Sequence, residues 1–487
     1  MQVPAERIRT IGVKAPRPDG DYVLYWMIAS RRLRHSFALD RAVENARALG
    51  KPLLILEPLR VGYEHASDRI HTFVQDGMRD NEAEASAAGV RYLCYVEALK
   101  GAGRGLLRAL SRQACMVVTD DSPAFHYPAM LEAAAKRSTV RLEAVDGNGL
   151  LPMRVPDRAF TTAHSFRRYL QRTLPEHLGV RPSAAPLRTL AGMPQAVVPR
   201  DVLDRWGPGR VDPAKLPIDH TVLPADIRGG PTAGRRCLRR FVAGRLSSYA
   251  DSRNDPDVEA TSGLSPYLHF GHVGAHEVFA AVVRHERWSP VKLGSTTDGK
   301  RSGWWGASAS AEAFLDQLVT WRELGFNRCV QRPDDYASFD SLPDWARRTL
   351  SEHREDPRPH EYSPSEFERA GTHDEIWNAA QRQLVAEGRI HNYLRMLWGK
   401  KILEWTPTPE DALEVMIHLN DKYALDGRDP NSYSGIFWVL GRYDRAWGPE
   451  RPVFGKVRFM SSDNTRRKLK LRGYLERWAG SSARMDS

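Results

Sequence analysis

Short apolar runs alternate with amphipathic stretches over residues 1–150, and this alternation limits the possible folds more than any other feature. Buried strands are predicted at 22–28, 52–56, 91–96, 116–119 and 140–145. The spacing of apolar residues predicts helices between them, at 36–49, 71–88, 106–113 and 128–137. Unbroken apolar strands that alternate with helices favour a parallel, doubly wound sheet covered on both faces. No G-x-G-x-x-G follows the first strand, so the usual dinucleotide-binding fingerprint is absent.

The acidic pair Asp120–Asp121 directly follows the predicted strand at 116–119. A ligand of a doubly wound sheet binds beyond the carboxyl ends of its strands, so the position of the pair is suggestive. Solvated turn residues are nevertheless the favoured explanation of these two carboxylates.

The composition changes along the chain and predicts its domains. Residues 1–20 are rich in Pro, Arg and Gly and are predicted to wrap the surface as an N-terminal extension, ahead of an α/β domain at 21–180. Nine prolines punctuate residues 181–233, which predicts a linker that runs over the surface. Beyond it helical patterns prevail and strands disappear, so an all-α domain is predicted at 234–487.

The formal net charge of +11 and the pI near 9.5 indicate an anionic partner, although a basic surface kept for solubility is a common alternative. Thirteen tryptophans favour large flat ligands or aromatic networks. The four cysteines follow no C-x-x-C or zinc spacing, which predicts buried thiols, no metal site and a reducing compartment. Because no apolar run reaches membrane-spanning length and the N-terminus lacks a signal-peptide core, we expect a soluble cytoplasmic protein.

One helix, predicted at 389–405, concentrates the chemistry of the chain. A stripe at helical spacing on this helix consists of Arg395, Trp398, Ile402 and Trp405. Asn392 and Met396 lie one turn apart beside Arg395. A buried guanidinium needs an acidic partner, and Asp426 is the predicted one. Taken alone, the pattern favours a core helix with aromatic filler and a buried ion pair.

Three further stretches carry candidate binding groups. The sequence T-S-G-L-S at 261–265 places hydroxyls and a glycine directly before a predicted helix, which suits a helix cap or a phosphate, and Arg253 upstream adds positive charge. Gln317 and Trp321 are i, i+4 on a predicted helix and suit either a ligand wall or the core. The basic run at 456–472 suits a phosphate backbone or a solvated tail.

Four long motifs in order resemble the photolyase/cryptochrome family: T-S-G-L-S-P-Y-L-H-F-G, H-N-Y-L-R-M-L-W-G-K-K-I-L-E-W, L-N-D-K-Y-A-L-D-G-R-D-P-N and R-P-V-F-G-K-V-R. Within that family the chain resembles class II cyclobutane pyrimidine dimer photolyases, also through T-D-D-S-P-A-F, V-D-G-N-G-L-L-P and H-S-F-R-R in its N-terminal half. The resemblance implies an α/β antenna domain, a linker and an all-α domain that holds a U-shaped FAD. It also implies that a deazaflavin, a folate or no pigment occupies the antenna domain.

The activity implied by the resemblance is light-driven repair of UV-damaged DNA. Excited FADH⁻ donates an electron to a pyrimidine dimer flipped out of the duplex, the dimer splits and the electron returns. The implied protein is a monomer without an obligate protein partner, associated with the nucleoid when bound to DNA.

The resemblance also assigns a role to individual residues. Those expected at the FAD phosphates are Tyr249, Arg253, Asn254, Thr261, Ser262, Gly263, Leu264 and Ser265. Those expected at the isoalloxazine are the Arg395–Asp426 pair, Asn420 facing N5, and Asp429. Those expected to hold the dimer or its DNA are Gln317, Trp321, Asn392, Met396, Trp438, Arg445 and Trp447. Those expected to carry electrons during photoreduction are Trp398, Trp377 and, as an auxiliary, Trp405. Catalysis is expected to depend on Asn420, Arg395, Asp426 and Gln317.

Two departures and two alternatives accompany this interpretation. Gln317 stands where the family usually carries Glu, and glutamine can donate a hydrogen bond to a thymine carbonyl but cannot deliver a proton. The stretch between Trp438 and Asp444 is one residue shorter than usual. One alternative is a cryptochrome that senses blue light without repair. Cryptochromes often carry a long C-terminal tail, whereas the given sequence continues for only nine residues after Trp478. The other is a basic flavoprotein that binds DNA without chemistry.

Overall fold

A six-stranded sheet orders the N-terminal part of the chain. Its strands, in chain order, are β1 Ile8–Ile11, β2 Tyr22–Trp26, β3 Leu53–Leu59, β4 Arg91–Val96, β5 Ala114–Asp120 and β6 Leu142–Val145. The spatial order is β1-β6-β5-β2-β3-β4, and strands β2 to β6 pair in parallel. The parallel, doubly wound arrangement predicted from the alternation is therefore confirmed for these five strands.

The strand β1 is a correction to the predicted surface extension at 1–20. It pairs antiparallel with β6, from Ile8 opposite Val145 to Ile11 opposite Leu142. Arg7, which is 3% exposed, donates from its guanidinium to backbone carbonyls of residues 146–150 at 2.7–3.3 Å. These contacts hold the N-terminal residues on the sheet edge instead of over the surface.

Both faces of the sheet are covered by helices, as the unbroken apolar strands require. The helices between strands are α1 Phe37–Leu49, α2 Asp68–Ala87, α3 Leu106–Ser111 and α4 Tyr127–Arg137. In β2, Val23 and Tyr25 pack with α1, whereas Leu24 and Trp26 pack on the other face with α3 and α4. Ser36 caps α1 by accepting the N–H of Leu39, and α1 ends before a left-handed Gly50.

The acidic pair at the end of β5 is buried, so its interpretation as solvated turn residues is wrong. Asp120 and Asp121 are each 2% exposed. Asp120 accepts three backbone N–H groups from residues 28–30 at 2.8–3.0 Å. Asp121 accepts two hydrogen bonds from the guanidinium of Arg9 at 2.8 and 3.1 Å. Both carboxylates therefore join segments of the N-terminal part to one another.

The computed structural model describes residues 2–207 and 209–479, and the chain divides into two compact units. The N-terminal unit comprises Met1–Asp157, Thr173–Arg240 and Gly263–Pro290, and the C-terminal unit comprises Arg158–Arg172, Phe241–Ser262 and Val291–Ser487. The domain boundaries inferred from composition stay a prediction.

The remaining helices continue to the C-terminus. In the middle of the chain they are α5 Ala163–Thr173, α6 Arg200–Trp206, α7 Pro231–Gly244, α8 Tyr249–Ser252, α9 Ser265–His269 and α10 Ala275–His285. They continue as α11 Ala309–Leu315, α12 Arg322–Gln331, α13 Asp344–Glu352, α14 Pro364–Glu368 and α15 Glu375–Glu387. The last five are α16 Asn392–Trp405, α17 Pro409–Tyr423, α18 Pro430–Val439, α19 Ser462–Lys468 and α20 Arg472–Arg477. Within residues 2–207 and 209–479, no helix combines the length and apolarity that crossing a membrane requires.

Two of these segments depart from regular backbone geometry. Gly271, in the N-terminal unit, has φ of 68° and approaches the chain so closely that a Cβ would lie 2.1 Å from the carbonyl oxygen of Ala29. Only glycine fits there. In the C-terminal unit, residues Asp316–Trp321 between α11 and α12 form a π-helical turn, which widens the helix at that point.

Candidate active site

Helix α16 carries most of the predicted site and contacts α15, α17 and α18. The preceding helix ends at Gly388, whose φ of 69° is a left-handed conformation that glycine adopts without strain. His391 is then the N-cap residue of α16, and its Nε2 lies 3.1 Å from the carbonyl oxygen of Arg253. The segment that contains Arg253 is therefore held at the first turn of α16.

The predicted ion pair between Arg395 and Asp426 forms. Nη2 of Arg395 donates to Oδ1 of Asp426 at 3.2 Å, and the two side chains are 17% and 14% exposed. Asp426 lies in the loop between α17 and α18, where Gly427 packs so tightly that a Cβ would lie 2.5 Å from the backbone oxygen of Asn420. The pair thus retains exposed surface through which it can contact a ligand.

Asn420 and Asp429 are held by hydrogen bonds to their own chain. The side-chain amide of Asn420 donates to Asp421 at 3.0 Å and to the carbonyl oxygen of Gly427 at 2.8 Å, while its oxygen accepts from Ser432 at 3.2 Å. Asp429 is the N-cap of α18 and accepts a backbone N–H of its first turn at 2.9 Å. Both residues are buried. Their contact with a cofactor stays a prediction.

Tyr249 and Arg253 lie together near the start of the C-terminal unit. The guanidinium carbon of Arg253 is 5.5 Å from the ring centroid of Tyr249, a cation–π distance. Burial raises the pKa of the Tyr249 phenol. Its ring packs edge-on against Phe314 of α11, with centroids 5.5 Å apart. Asn254 is exposed beside them, so this short segment offers a cation and an amide to a ligand.

The predicted phosphate-binding turn at 261–265 ends in a short helix. Gly263 has φ of 68°, and Leu264 is the N-cap of the five-residue α9, with no side chain capping the helix. Ser265 is the first helical residue and is exposed. Helix α9 therefore begins without a capping side chain at its N-cap residue. Thr261 and Ser262 belong to the C-terminal unit, whereas the following residues belong to the N-terminal unit.

Gln317 and Trp321 both lie in the π-helical turn. They are half-exposed, whereas the three residues between them are buried. Both side chains are therefore partly accessible, and their sharing of one face stays a prediction from the i, i+4 spacing. π-Helical turns occur frequently at functional sites, and the sequence pattern does not reveal this one.

Asn392 and Met396 occupy the first turns of α16. Asn392 is exposed and Met396 is half-buried. A Cβ at Gly435 of α18 would lie 3.8 Å from the Met396 methyl carbon, which places this part of α16 against α18. Trp438 lies one turn further along α18 and is half-exposed. The structure thus brings three of the predicted dimer-contacting residues onto the neighbouring helices α16 and α18.

A series of cations and indoles surrounds Trp438. The ammonium nitrogen of Lys400 lies 5.2 Å from the Trp438 ring centroid, and the guanidinium carbon of Arg458 lies 5.4 Å from it. The same guanidinium is 4.0 Å from the ring of Trp447, with Arg445 4.4 Å from that ring. The resemblance predicts that Trp447 and Arg445 contact DNA, but no role for Lys400 or Arg458 is predicted from the sequence. For Lys400 the sequence does contain a signal, because a lysine within the apolar stretch of α16 is unusual.

The three predicted electron-carrying tryptophans are in contact. Trp398 and Trp377 stack with centroids 6.4 Å apart and planes at 4°, and Trp377 lies 6.0 Å from Trp405. Nε1 of Trp377 donates to the carbonyl oxygen of Trp398 at 3.0 Å, and Nε1 of Trp398 donates to Gln381 at 2.9 Å. Beyond Trp405 lies Tyr362, 5.6 Å away between centroids. Trp377 therefore connects Trp398 to Trp405.

Comparison with known proteins places the chain in a family. No protein-family model matches it. It is 34% identical over 481 residues to a deoxyribodipyrimidine photo-lyase of Methanothermobacter thermautotrophicus, with 98% of each chain covered. It is 34% identical over 507 residues to a deoxyribodipyrimidine photo-lyase of Oryza sativa subsp. japonica, covering 99% of this chain and 92% of the relative. A crystal structure of a bacterial class III photolyase from Agrobacterium tumefaciens is similar with a TM-score of 0.65 and 18% identity, covering 96% of this chain and 87% of that one.

The chain belongs to the photolyase/cryptochrome family. The predicted fold of an α/β part followed by an all-α part is confirmed by the solved structure. The expectation of an enzyme is confirmed by relatives that match over nearly their full length. Members of this family generally bind FAD, and its photolyases act on DNA.

Proposed function

We propose that this protein repairs cyclobutane pyrimidine dimers in UV-damaged DNA with light, as a class II photolyase. The observation that carries the proposal is the set of contacts that the side chains of α16 make with the neighbouring helices and loops. The helix directs Arg395 to Asp426, Trp398 to Trp377 and Met396 towards α18, the helix that carries Trp438. One helix therefore contributes residues to an ion pair, to a stack of indoles and to the neighbourhood of a partly exposed tryptophan.

The residues fit FAD by their chemistry. The partly exposed Arg395–Asp426 pair offers a donor and an acceptor to a polar heterocycle. Arg253 and the hydroxyls of Thr261 and Ser262, all in the C-terminal unit, offer the positive charge and the hydrogen-bond donors that a diphosphate requires. Reduced FAD, when bound, supplies the electron that splits the dimer after it absorbs blue light.

The protein supplies binding, orientation and exclusion of water. Arg395 and Asp426 hold each other and orient a ring placed against them. Trp438 and Trp321 offer flat surfaces to a flipped-out pyrimidine dimer, and Gln317 can donate to a thymine carbonyl. Arg445 carries positive charge beside Trp447, where a phosphate backbone is attracted, whereas Arg458 is paired with Asp444. Trp398 and Trp377 lie stacked at a spacing suited to passing an electron inwards when the flavin must be reduced.

The test is a single repair assay. The purified protein is reduced in the absence of oxygen and mixed with an oligonucleotide that contains one defined dimer, and blue light is applied. Chromatography should show the restored oligonucleotide in light and not in darkness. A protein that binds FAD and responds to blue light but leaves the dimer intact would instead support a cryptochrome.

A further inference from the structure

The π-helical turn Asp316–Trp321 begins at a buried ion pair. Asp316 is its first residue, and its carboxylate accepts two hydrogen bonds from Arg167: Nε to Oδ1 at 2.7 Å and Nη2 to Oδ2 at 3.1 Å. The two side chains are only 8% and 7% exposed. A bidentate guanidinium–carboxylate pair fixes the plane of the carboxylate as well as its distance.

Arg167 is itself held on α5 by a second set of contacts. Its Nη1 donates to the carbonyl oxygen of Gly299 at 3.1 Å. Gln171, one turn later on α5, accepts the backbone N–H of Gly299 at 2.8 Å and donates to the carbonyl oxygen of Lys300 at 3.2 Å. The guanidinium therefore has one orientation, and Asp316 is held against a fixed reference.

The register of the turn decides which side chains are accessible. A π-helical turn contains one residue more per turn than the α-helical hydrogen-bond pattern, and it persists where surrounding contacts specify it. In this turn Gln317 and Trp321 are half-exposed while residues 318–320 are buried. A return to α-helical register would keep Gln317 and Trp321 within about 40° of each other but would rotate Trp321 relative to the residues that precede the turn.

We propose that Arg167 and Asp316 are positioning residues for the DNA lesion. The pair sets the register of the π-helical turn, and the register sets the direction in which Trp321 faces the pyrimidine dimer beside Gln317. This inference rests on the proposed function. Neither member of the pair contacts the dimer, so their effect is exerted through Gln317 and Trp321.

The test uses the full chain with FAD bound and the double variant Arg167→Met/Asp316→Leu. Removing both partners leaves no unpaired buried charge, so the fold is retained. Affinity is measured for a dimer-containing oligonucleotide and for the undamaged oligonucleotide of the same sequence, alongside FAD content and thermal unfolding. We expect FAD content and binding to undamaged DNA at the parent level, with the preference for the dimer reduced on the order of tenfold to a hundredfold, as loss of one aromatic stacking contact to a base would cause.

A matched control separates positioning from stability. Arg31 and Glu57 form another buried pair, at 3.1 Å, in the N-terminal unit. Glu57→Gln should lower the unfolding temperature and leave the preference for the dimer unchanged. If it lowers that preference as much as the double variant does, any buried pair has the same effect and the positioning role is wrong.

A second variant keeps the inference testable if the double variant does not fold. Arg167→Lys keeps the charge but cannot form the bidentate pair, and we expect an intermediate loss of preference for the dimer. Parent-level preference in either folded variant overturns the inference. If the parent itself shows no preference for the dimer, the proposed function is wrong and the positioning role falls with it. If the parent discriminates and the variants match it, only the positioning role is wrong.

Discussion

Replacing the buried Lys400 with methionine should make the protein more stable in mild acid. The residue has no exposed surface, donates to the carbonyl oxygen of Val439 and lies 5.2 Å from the ring centroid of Trp438. Burial lowers the pKa of its ammonium from 10.5 to about 7, with Asp444 acting in the opposite direction and Arg458 adding to the effect. The folded protein therefore disfavours the charged form of this lysine.

The magnitude follows from the difference between the folded and unfolded pKa values. One pKa unit corresponds to about 1.4 kcal/mol, so holding Lys400 charged in the folded state costs about 5 kcal/mol. Methionine removes this cost but also removes the hydrogen bond to Val439 and the cation–π contact, which together contribute about 2–3 kcal/mol. The expected net gain in the free energy of unfolding is about 2 kcal/mol.

The lowered pKa of Lys400 in the folded state decides whether the stability of the parent protein rises or falls with pH. Below about pH 7 the lysine is protonated in both states and the full cost is present. Between about pH 7 and pH 10.5 the unfolded chain binds more protons than the folded protein, so the parent gains stability as the pH rises. The advantage of Lys400→Met should therefore be largest near pH 6, vanish between about pH 8 and pH 9, and turn into a disadvantage at higher pH.

Denaturant unfolding of the parent and the variant across this pH range measures the difference. Lys401→Met is the matched control, because the neighbouring ammonium is paired with Glu404 at 2.7 Å and its removal should lower stability. A Lys400→Met variant that is no more stable than the parent near pH 6 would show that the burial cost is already offset. An advantage that does not change with pH would show that packing, and not the charge, is responsible.

Three further outcomes are expected. Trp398→Phe should abolish photoreduction of oxidised FAD yet keep dimer repair once the flavin is reduced chemically, as flash absorbance and product chromatography will show; loss of repair as well would put Trp398 in the substrate site. The purified protein should release a single FAD per chain on denaturation, measured by absorbance, and a chain that takes up no flavin on reconstitution would contradict the proposed cofactor. Binding to dimer-containing DNA should weaken steeply with salt because phosphate contacts release counterions, and Arg445→Ala should reduce selectivity for the dimer more than Arg466→Ala; affinity that is flat with salt would assign the basic surface to solubility.

Much of the α/β part could be predicted because its signals are local. The strand predicted at 91–96 coincides with β4, and the predicted start of α1 follows from the Ser36 cap. The strand β1 could not be predicted in this way. It has four residues, I-R-T-I, and depends on pairing with β6 more than 130 residues later and on the Arg7 contacts to residues 146–150. Neither contact leaves a periodic pattern in the local sequence.

The candidate site likewise contains features that the local sequence predicts and features that depend on contacts with other helices. The partner of Arg395 could be predicted because a guanidinium on an apolar helix requires an acid, and Asp426 lies in a nearby acidic loop. Spacing along α16 could not supply Trp377, because that indole comes from α15 and stacks on Trp398 across the turn at Gly388. The burial of Lys400 likewise depends on α18, which the helical pattern of α16 does not show.

The position of Gly399 explains why α16 can pack closely against its neighbouring helices. A Cβ there would lie 2.6 Å from Cγ2 of Val439 and 3.1 Å from Sδ of Met416, so only glycine allows α16 to approach α17 and α18 this closely. The approach brings the next residue, Lys400, to the carbonyl oxygen of Val439, the last residue of α18, where a cation is favoured by the helix dipole. The same helix then presents Arg395 and Trp398 in other directions, because successive side chains rotate by about 100°. The charge buried at Lys400 is thus a consequence of the close packing that fixes the ion pair and the indole relay relative to Trp438.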